Sequence, residues 1–552
     1  MSKPVMLKLM TRQRATAMAA LACLGSGWVG PAAQAQTTAA PERIEVTGSL
    51  IKRTDRETPS VVQTITREDI KRSGYNTVEE LLRANAAVDS AGSIQDGAAT
   101  GFVNGLATIS LRGFGAQGTL VLINGRRIAP AANVDVNFGR GTLINVNTIP
   151  KGTIERIEVL KDGASAQYGS DAMAGVINYV LRKNYQGFGL DAGYGASDKG
   201  AGQNRNGSVS FGFGDFDRSG FNIIGGLEFS QRDRVMANEL KDRGRLELSN
   251  VYRNLNGETS RFTPDSPASP WANYYRVPAS LAGTTVLDGR TVNNNDLNGA
   301  NYLGTFPGCP AELTVGQGVP TRPAGFTATQ ASLRTGACRF NLDEATEVIS
   351  EQERLSGTLR ASFKLGRDFT AYADLMVGKT TSESLAPPRP LTTTTLASQQ
   401  VPNIIITPKL DGTLAQQGAL ILPVNHPDNP TRGTANAQPV QLLYRFHDIP
   451  ATDTNEQQAT RLSFGIEGSL GSWDLDSALL HSRQENKRIQ TGRLRASLLN
   501  ASLAAGTYRF NGTVNTDAAK ASVASDAVNE GESTITSFDV CERWPETASI
   551  RR

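Results

Sequence analysis

Arg354-Leu355-Ser356-Gly357-Thr358-Leu359-Arg360-Ala361-Ser362-Phe363-Lys364-Leu365 alternates without a break. Leu355, Gly357, Leu359, Ala361, Phe363 and Leu365 hold one parity; Arg354, Ser356, Thr358, Arg360, Ser362 and Lys364 hold the other. Successive side chains of a β-strand point to opposite faces, so this run sends every charge to one side and every large apolar group to the other. Two more runs repeat the pattern. Phe221, Ile223, Gly225, Leu227 and Phe229 alternate with Asn222, Ile224, Gly226, Glu228 and Ser230. Leu462, Phe464, Ile466 and Leu470 alternate with Arg461, Ser463, Glu467 and Ser469.

A soluble β-sandwich also alternates, but its strands run to about 5 or 6 residues and its loops are short. Here each run is about ten residues or more, as crossing a bilayer requires. Arg367-Asp368 and Gly471-Ser472 read as tight turns, whereas roughly 100 residues separate Asp233 from Glu351. Short turns at one end and long loops at the other describe an outer-membrane barrel. Turning Arg354, Arg360 and Lys364 toward lipid would cost about 2 to 4 kcal/mol each near the midplane. The apolar set is therefore expected to face lipid, and the polar set a lumen.

The chain has 552 residues, more than one ordinary domain, and a net charge of +3 with both signs mixed, which gives no case for nucleic acid as partner. Its 55 glycines and 39% apolar content suit strands and turns. Lys3, Lys8, Arg12 and Arg14, a mostly apolar stretch over 15–29, and Ala33-Gln34-Ala35 read as a signal peptide over 1–35. Residues 36–58 are polar. From 59 to 185 short mixed elements are dense, and from 186 onward the period becomes two. Cys309 and Cys338 lie in one polar insertion without His or clustered carboxylates, so a disulfide is expected rather than a metal site; closing about 30 residues contributes roughly 3 to 4 kcal/mol in the chain-entropy model. His426, His447 and His481 are the only histidines, and no Ser-His-Asp order, HExxH or ligand-spaced cluster accompanies them. They are expected to be solvated in loops or lumen. No catalytic residue, metal site or cofactor is expected.

Within the dense region Thr66-Arg67-Glu68-Asp69 and Thr77-Val78-Glu79-Glu80 fit Ser/Thr-x-x-acid helix starts, the second leading into Leu81 and Leu82. Leu120-Val121-Leu122-Ile123 and Ile154–Leu160 read as strands ended by turns at Asn124-Gly125 and Asp162-Gly163. This is a small α+β domain. The glycines from Gly163 to Gly169 lack the Lys-Ser/Thr of a phosphate-binding loop.

In order along the chain, Ile44-Glu45-Val46-Thr47-Gly48, Leu111-Arg112-Gly113-Phe114, Val121-Leu122-Ile123-Asn124-Gly125-Arg126-Arg127, Ile154-Glu155-Arg156-Ile157-Glu158-Val159-Leu160-Lys161-Asp162-Gly163-Ala164-Ser165-Ala166-Gln167-Tyr168-Gly169 and Gly175-Val176-Ile177-Asn178 resemble the plug motifs of TonB-dependent receptors. The resemblance implies an α+β plug followed by an antiparallel transmembrane β-barrel in the cell outer membrane. It implies that residues 44–48 are a TonB box, a segment that pairs as an added strand with the energy-coupling protein TonB. Arg112, Glu155, Arg156 and Glu158 are expected to be paired between plug and barrel wall, and Tyr168-Gly169 to fix plug geometry against that wall. The cargo implied is a scarce solute such as a siderophore, cobalamin or a saccharide, with plug loops 92–105 and 131–141 and the large barrel loops as candidate contacts. The alternative is a passive pore or adhesin, which explains the strands but not the plug series.

Barrels of this family have about 22 strands. After Tyr185 the chain has room for roughly seven to ten, and its last residues, from Arg543-Trp544-Pro545-Glu546 to Arg551-Arg552, do not read as a strand ending in an aromatic residue. The expectation is the first part of a barrel, from a shortened copy.

Overall fold

The computed structural model describes residues 62–75, 77–89, 93, 105–132, 143–197, 201–239, 265–266, 268–276, 284–287, 290–293, 302–314, 336–391, 405–408, 414–417, 420–470 and 473–543. The signal-like residues and the segment 44–48 lie outside them.

The N-terminal domain is a five-stranded sheet in the order Val62–Thr66, Ile154–Leu160, Gly175–Leu181, Thr119–Ile123, Arg126–Arg127. All neighbours are antiparallel except Gly175–Leu181 with Thr119–Ile123, which are parallel. Helices Arg67–Arg72 and Val78–Arg83 start where the capping motifs place them. Thr66 and Thr77 each accept the third backbone N–H, and Asp69 and Glu80 reach back to the caps, satisfying donors a helix start leaves open. Ile70, Val78, Leu81 and Leu82 pack with Ile109, Val121, Ile157 and Ile177 in one core. At about 1.5 to 3 kcal/mol per buried large aliphatic side chain, this packing offsets the cost of ordering a sheet with many short elements.

Asn124 and Gly125 both have positive φ, 51° and 76°, the backbone of a two-residue hairpin turn. Asp162-Gly163 does not form the tight turn expected of it. The chain instead loops out through the short helix Ser165–Tyr168, and Ala164 N–H closes the loop on Ala172 O at 2.9 Å. Gly163 is needed there for close approach, since a Cβ would sit 2.9 Å from Met173 O.

The second body is an eight-stranded antiparallel sheet in chain order: Gly187–Gly195, Asn204–Phe213, Phe221–Arg232, Glu351–Leu365, Phe369–Ala386, Ala451–Leu470, Trp473–Leu494 and Ala524–Arg543. It is open among the described residues, ending at its first and last strands. Eight falls within the seven to ten counted from the sequence. Leu365 pairs with Phe369 and Leu470 with Trp473, so one end has very short connections. At the other, 233–350, 387–450 and 495–523 intervene. The two faces are as the parity demands. Leu355, Leu359, Phe363, Phe464, Ile466 and Leu470 are exposed on the outer face, whereas Arg354, Ser356, Arg360, Ser362, Arg461 and Ser463 are buried on the inner one. Lys364 is half-exposed beside Asp217 at the short-turn end. No helix among the described residues is long and apolar enough to cross a membrane.

The long connections are not all irregular. Tyr302–Thr305, Asn273–Arg276, Val440–Arg445 and Pro390–Leu391 form a second sheet, with Leu420–Leu422 beside Val440–Arg445. Tyr444, Phe446, Tyr508 and Phe510 pack edge-on and tilted over it, with Leu422, Leu442, Leu499 and Val523. Cys309 and Cys338 are joined in a disulfide with Cα atoms 6.0 Å apart.

Candidate functional site: the seam between plug and wall

The inner face of the sheet meets the plug along a mostly polar seam. Arg126 directly follows the Asn124-Gly125 turn, and the hairpin sends its side chain into the wall. Only 6% exposed, it donates to Asp476 Oδ1 at 2.6 Å and to Tyr372 Oη at 3.3 Å. Three residues on, Ala129 donates its N–H to Ser482 Oγ at 3.1 Å and accepts from Gln484 Nε2 at 2.9 Å. Asn145, fully buried, donates to Gln457 Oε1 at 2.7 Å while its own carbonyl accepts from Asn147 N at 3.1 Å. Gly152 N reaches Glu228 at 3.4 Å, and Ser533 Oγ donates to Pro130 O at 2.6 Å. Just past the plug's last strand, Lys183 pairs with Glu467 at 2.9 Å. The wall's principal apolar contribution is Met376, which joins the plug core.

Each such hydrogen bond contributes about 0.5 to 1.5 kcal/mol net, because water would otherwise take its place. A seam of that kind is specific in register but weakly resistant to separation, since solvent can re-satisfy each group as it opens.

The charges singled out from the sequence are paired, but in the plug rather than across the seam. Arg112, itself at positive φ (54°), meets Asp162 at 3.1 Å with both side chains near half exposed. Gly113 follows with φ 75°. Arg156 meets Glu158 at 2.8 Å on their own strand, and buried Glu158 also accepts from Asn178 Nδ2 at 3.3 Å. Glu155 faces Arg182 at 3.6 Å. The expectation of plug-to-wall pairing for these four is thus corrected: Arg112 with Asp162, Arg156 with Glu158 and Glu155 with Arg182 all pair within the plug. Asn124 and Gly125 are clamped to the adjacent strand, Asn124 Oδ1 accepting from Leu181 N and Asn178 Oδ1 from Gly125 N, both at 2.8 Å. Tyr168 O accepts from Arg127, which also grips Asp171 and holds its carboxyl below the usual range chiefly through that hydrogen bond. Gly169, at φ 96°, makes that approach possible.

Arg126 stood in a recognised motif without a role of its own. Its signal was available, since two successive cations after a tight turn must point to opposite faces and one of them inward. Tyr372, Gln457, Asp476 and Ser482 carry no motif. The 44–48 segment and nearly all of loops 92–105 and 131–141 fall outside the described residues.

The histidine expectations also change. His426 is buried in the loop unit, its Nδ1 accepting from Asp428 N at 3.1 Å, and burial lowers its pKa. His481 lies exposed on the outer face of its strand, not in loop or lumen.

Residues 54–176 match the family described as TonB-dependent Receptor Plug Domain. The chain is 33% identical over 159 residues to the vitamin B12 transporter BtuB of Vibrio cholerae, covering 28% of this chain and 24% of that protein. It is 34% identical over 125 residues to the ferric enterobactin receptor PirA of Pseudomonas aeruginosa, covering 22% of this chain and 16% of the relative. The ferric enterobactin receptor PfeA of Pseudomonas aeruginosa superposes with a TM-score of 0.41 at 14% identity, over 87% of this chain and 45% of that one. The chain thus spans about a quarter or less of the length of the curated relatives it matches. The N-terminal domain thus belongs to the TonB-dependent receptor plug family, and an antiparallel sheet whose apolar face turns outward follows it.

Proposed function

We propose that the chain serves energy-coupled uptake of a scarce solute across the outer membrane, with residues 44–48 as the handle that TonB pairs with and pulls. The observation that carries this reading is the seam: an inserted α+β domain held to a barrel wall chiefly by single hydrogen bonds and a few ion pairs such as Arg126–Asp476. A force applied at its N-terminal end separates such contacts one after another, and water replaces each. Ile44, Val46 and Thr47 suit an extended segment that adds to a partner's sheet. The relatives' names speak of vitamin B12 transport and of ferric enterobactin reception, so the cargo proposed is a siderophore–iron complex, cobalamin or another nutrient of that size. No catalytic step is proposed.

Deleting residues 43–49 tests the coupling. Uptake of the cognate nutrient by cells should fall to background while binding of that nutrient to whole cells persists. Uptake indifferent to the deletion would establish a passive pore in place of a coupled receptor.

A further inference from the structure

Arg461 is left over by the seam's hydrogen bonding. It sits on the inward face of the Ala451–Leu470 strand, paired in register with Met376 on one side and Ser482 on the other, and is 5% exposed. Its Nε and Nη1 are buried without an acceptor. A guanidinium keeps its charge at any physiological pH, so it cannot escape this by losing a proton.

The charges facing it are already committed. Asp374 accepts from Arg360 at 2.9 Å and from Ser463 at 3.1 Å, and Asp476 is taken by Arg126. Arg126, Arg360 and Asp374 are the charged groups whose fields act on Arg461, with the phenol of Tyr372 beside them. Three guanidinium groups thus share two carboxylates (Asp374 and Asp476), leaving one buried positive charge uncompensated.

A small cavity opens beside Arg461. It is lined by Ser482, Thr148 and Gln484, and by the apolar side chains of Ile128 and Met376. Ser482 Oγ accepts from Ala129 N, which leaves its own hydrogen to donate. Thr148 spends its hydrogen on Asn145 O and Gln484 spends an amide hydrogen on Ala129 O. Thr148 and Gln484 keep acceptor oxygens, so the donors free at the cavity are Arg461 Nε and Nη1 and the Ser482 hydroxyl. Water would supply an acceptor but not the missing negative charge.

We propose that this cavity is a binding site for a small monatomic anion of the chloride class, held by Arg461 Nε and Nη1 and by the Ser482 hydroxyl. Ile128 and Thr148 belong to the plug, and Met376, Arg461, Ser482 and Gln484 to the wall, so the site is complete only while the plug is seated. The anion is then a counter-ion that belongs to the closed seam and is released when the seam opens.

The test uses the full chain in detergent, crystallised with sodium bromide in place of chloride, and a parallel melting series in chloride against gluconate at equal ionic strength. The expected result is an anomalous bromide peak in contact with the Arg461 guanidinium. Melting should also rise by about 2 °C in chloride, because gluconate is too large for the cavity. Both signals should vanish in Arg461→Met. Should that variant fail to fold, Ser482→Ala removes only the hydroxyl donor and should shift the chloride dependence to several-fold higher concentration. A wild-type density map with no bromide at Arg461, or equal melting in the two salts, overturns the proposal and leaves the cavity to water.

Discussion

Along the plug seam Asn145 meets Gln457, Ala129 meets Ser482 and Gln484, and Arg126 meets Asp476. In the loop unit, by contrast, Tyr444, Phe446, Tyr508 and Phe510 stack on one another with ring centres 4.9 to 6.3 Å apart. There two carboxylates gather hydrogen bonds from within the unit itself. Asp428 accepts from Arg509 Nε, Phe510 N and Asn511 Nδ2, and Asp448 from Tyr508 and Asn515. Dry aromatic packing has no substitute in water, whereas a seam hydrogen bond does. The loop unit is thus built to stay folded, and the plug contact to be undone.

The largest effect expected is on the loop unit. Phe446→Ala empties a fully buried aromatic site and should cost about 3 to 5 kcal/mol. Hydrogen exchange should then accelerate across Val440–Arg445 while the plug strands Thr119–Ile123 and Gly175–Leu181 keep their protection. Equal acceleration in both would show that the two regions unfold as one unit and would break the contrast. Opening the disulfide with Cys309→Ser and Cys338→Ser together should cost roughly 3 kcal/mol by loop entropy, again confined to the loop unit and read by limited proteolysis there.

On the seam, Arg126→Met removes the partner of a carboxylate that keeps about a third of its surface in water, so the penalty of a fully buried orphan is much reduced. A loss of about 1 to 2 kcal/mol is expected, with faster exchange at the Asn124-Gly125 hairpin and none in the loop unit. A double-mutant cycle with Asp476→Asn should give a coupling of about 1 kcal/mol; no coupling would mean that Tyr372 and packing, not the ion pair, hold Arg126.

These regions were unequally legible in the sequence. The capping boxes at Thr66 and Thr77 and the parity of residues 354–365 are local signals, and local signals survive into structure whatever the rest of the chain does. Seam partners such as Ala129 and Ser482, or Asn145 and Gln457, lie more than 300 residues apart and share no sequence pattern, Ala129 meeting Ser482 through its backbone alone. The loop unit read as polar insertion because its core is assembled from short pieces, Leu420–Leu422, Val440–Arg445 and single aromatics beyond 500, none long enough to show a period. Asp162-Gly163 has turn chemistry but serves a wider loop, since Gly there answers a steric need of Met173 rather than a left-handed backbone.

The smallest effect expected separates the two regions by pH. His426 is buried against Phe510, beside Asp428, Arg509 and Arg432. Desolvation is the main cause that lowers its pKa; Asp428 opposes it, and Arg509 and Arg432 add to it. The unfolded histidine titrates near 6.5, so above that pH both states hold it neutral and it contributes nothing to pH dependence. As pH falls below 6.5 the unfolded state gains a proton that the folded one resists, and the loop unit loses stability until the lowered folded pKa is reached. Hydrogen exchange at Val440–Arg445 should therefore quicken between pH 6.5 and mildly acidic pH, and His426→Gln should flatten that response. The plug should not share this pH dependence, because the dense region has no histidine and Asp171, paired with Arg127, loses its proton well below this range. A plug that loosened in step with the loop unit over this interval would mean that the seam transmits the strain, and that the two regions are coupled more tightly than their contacts require.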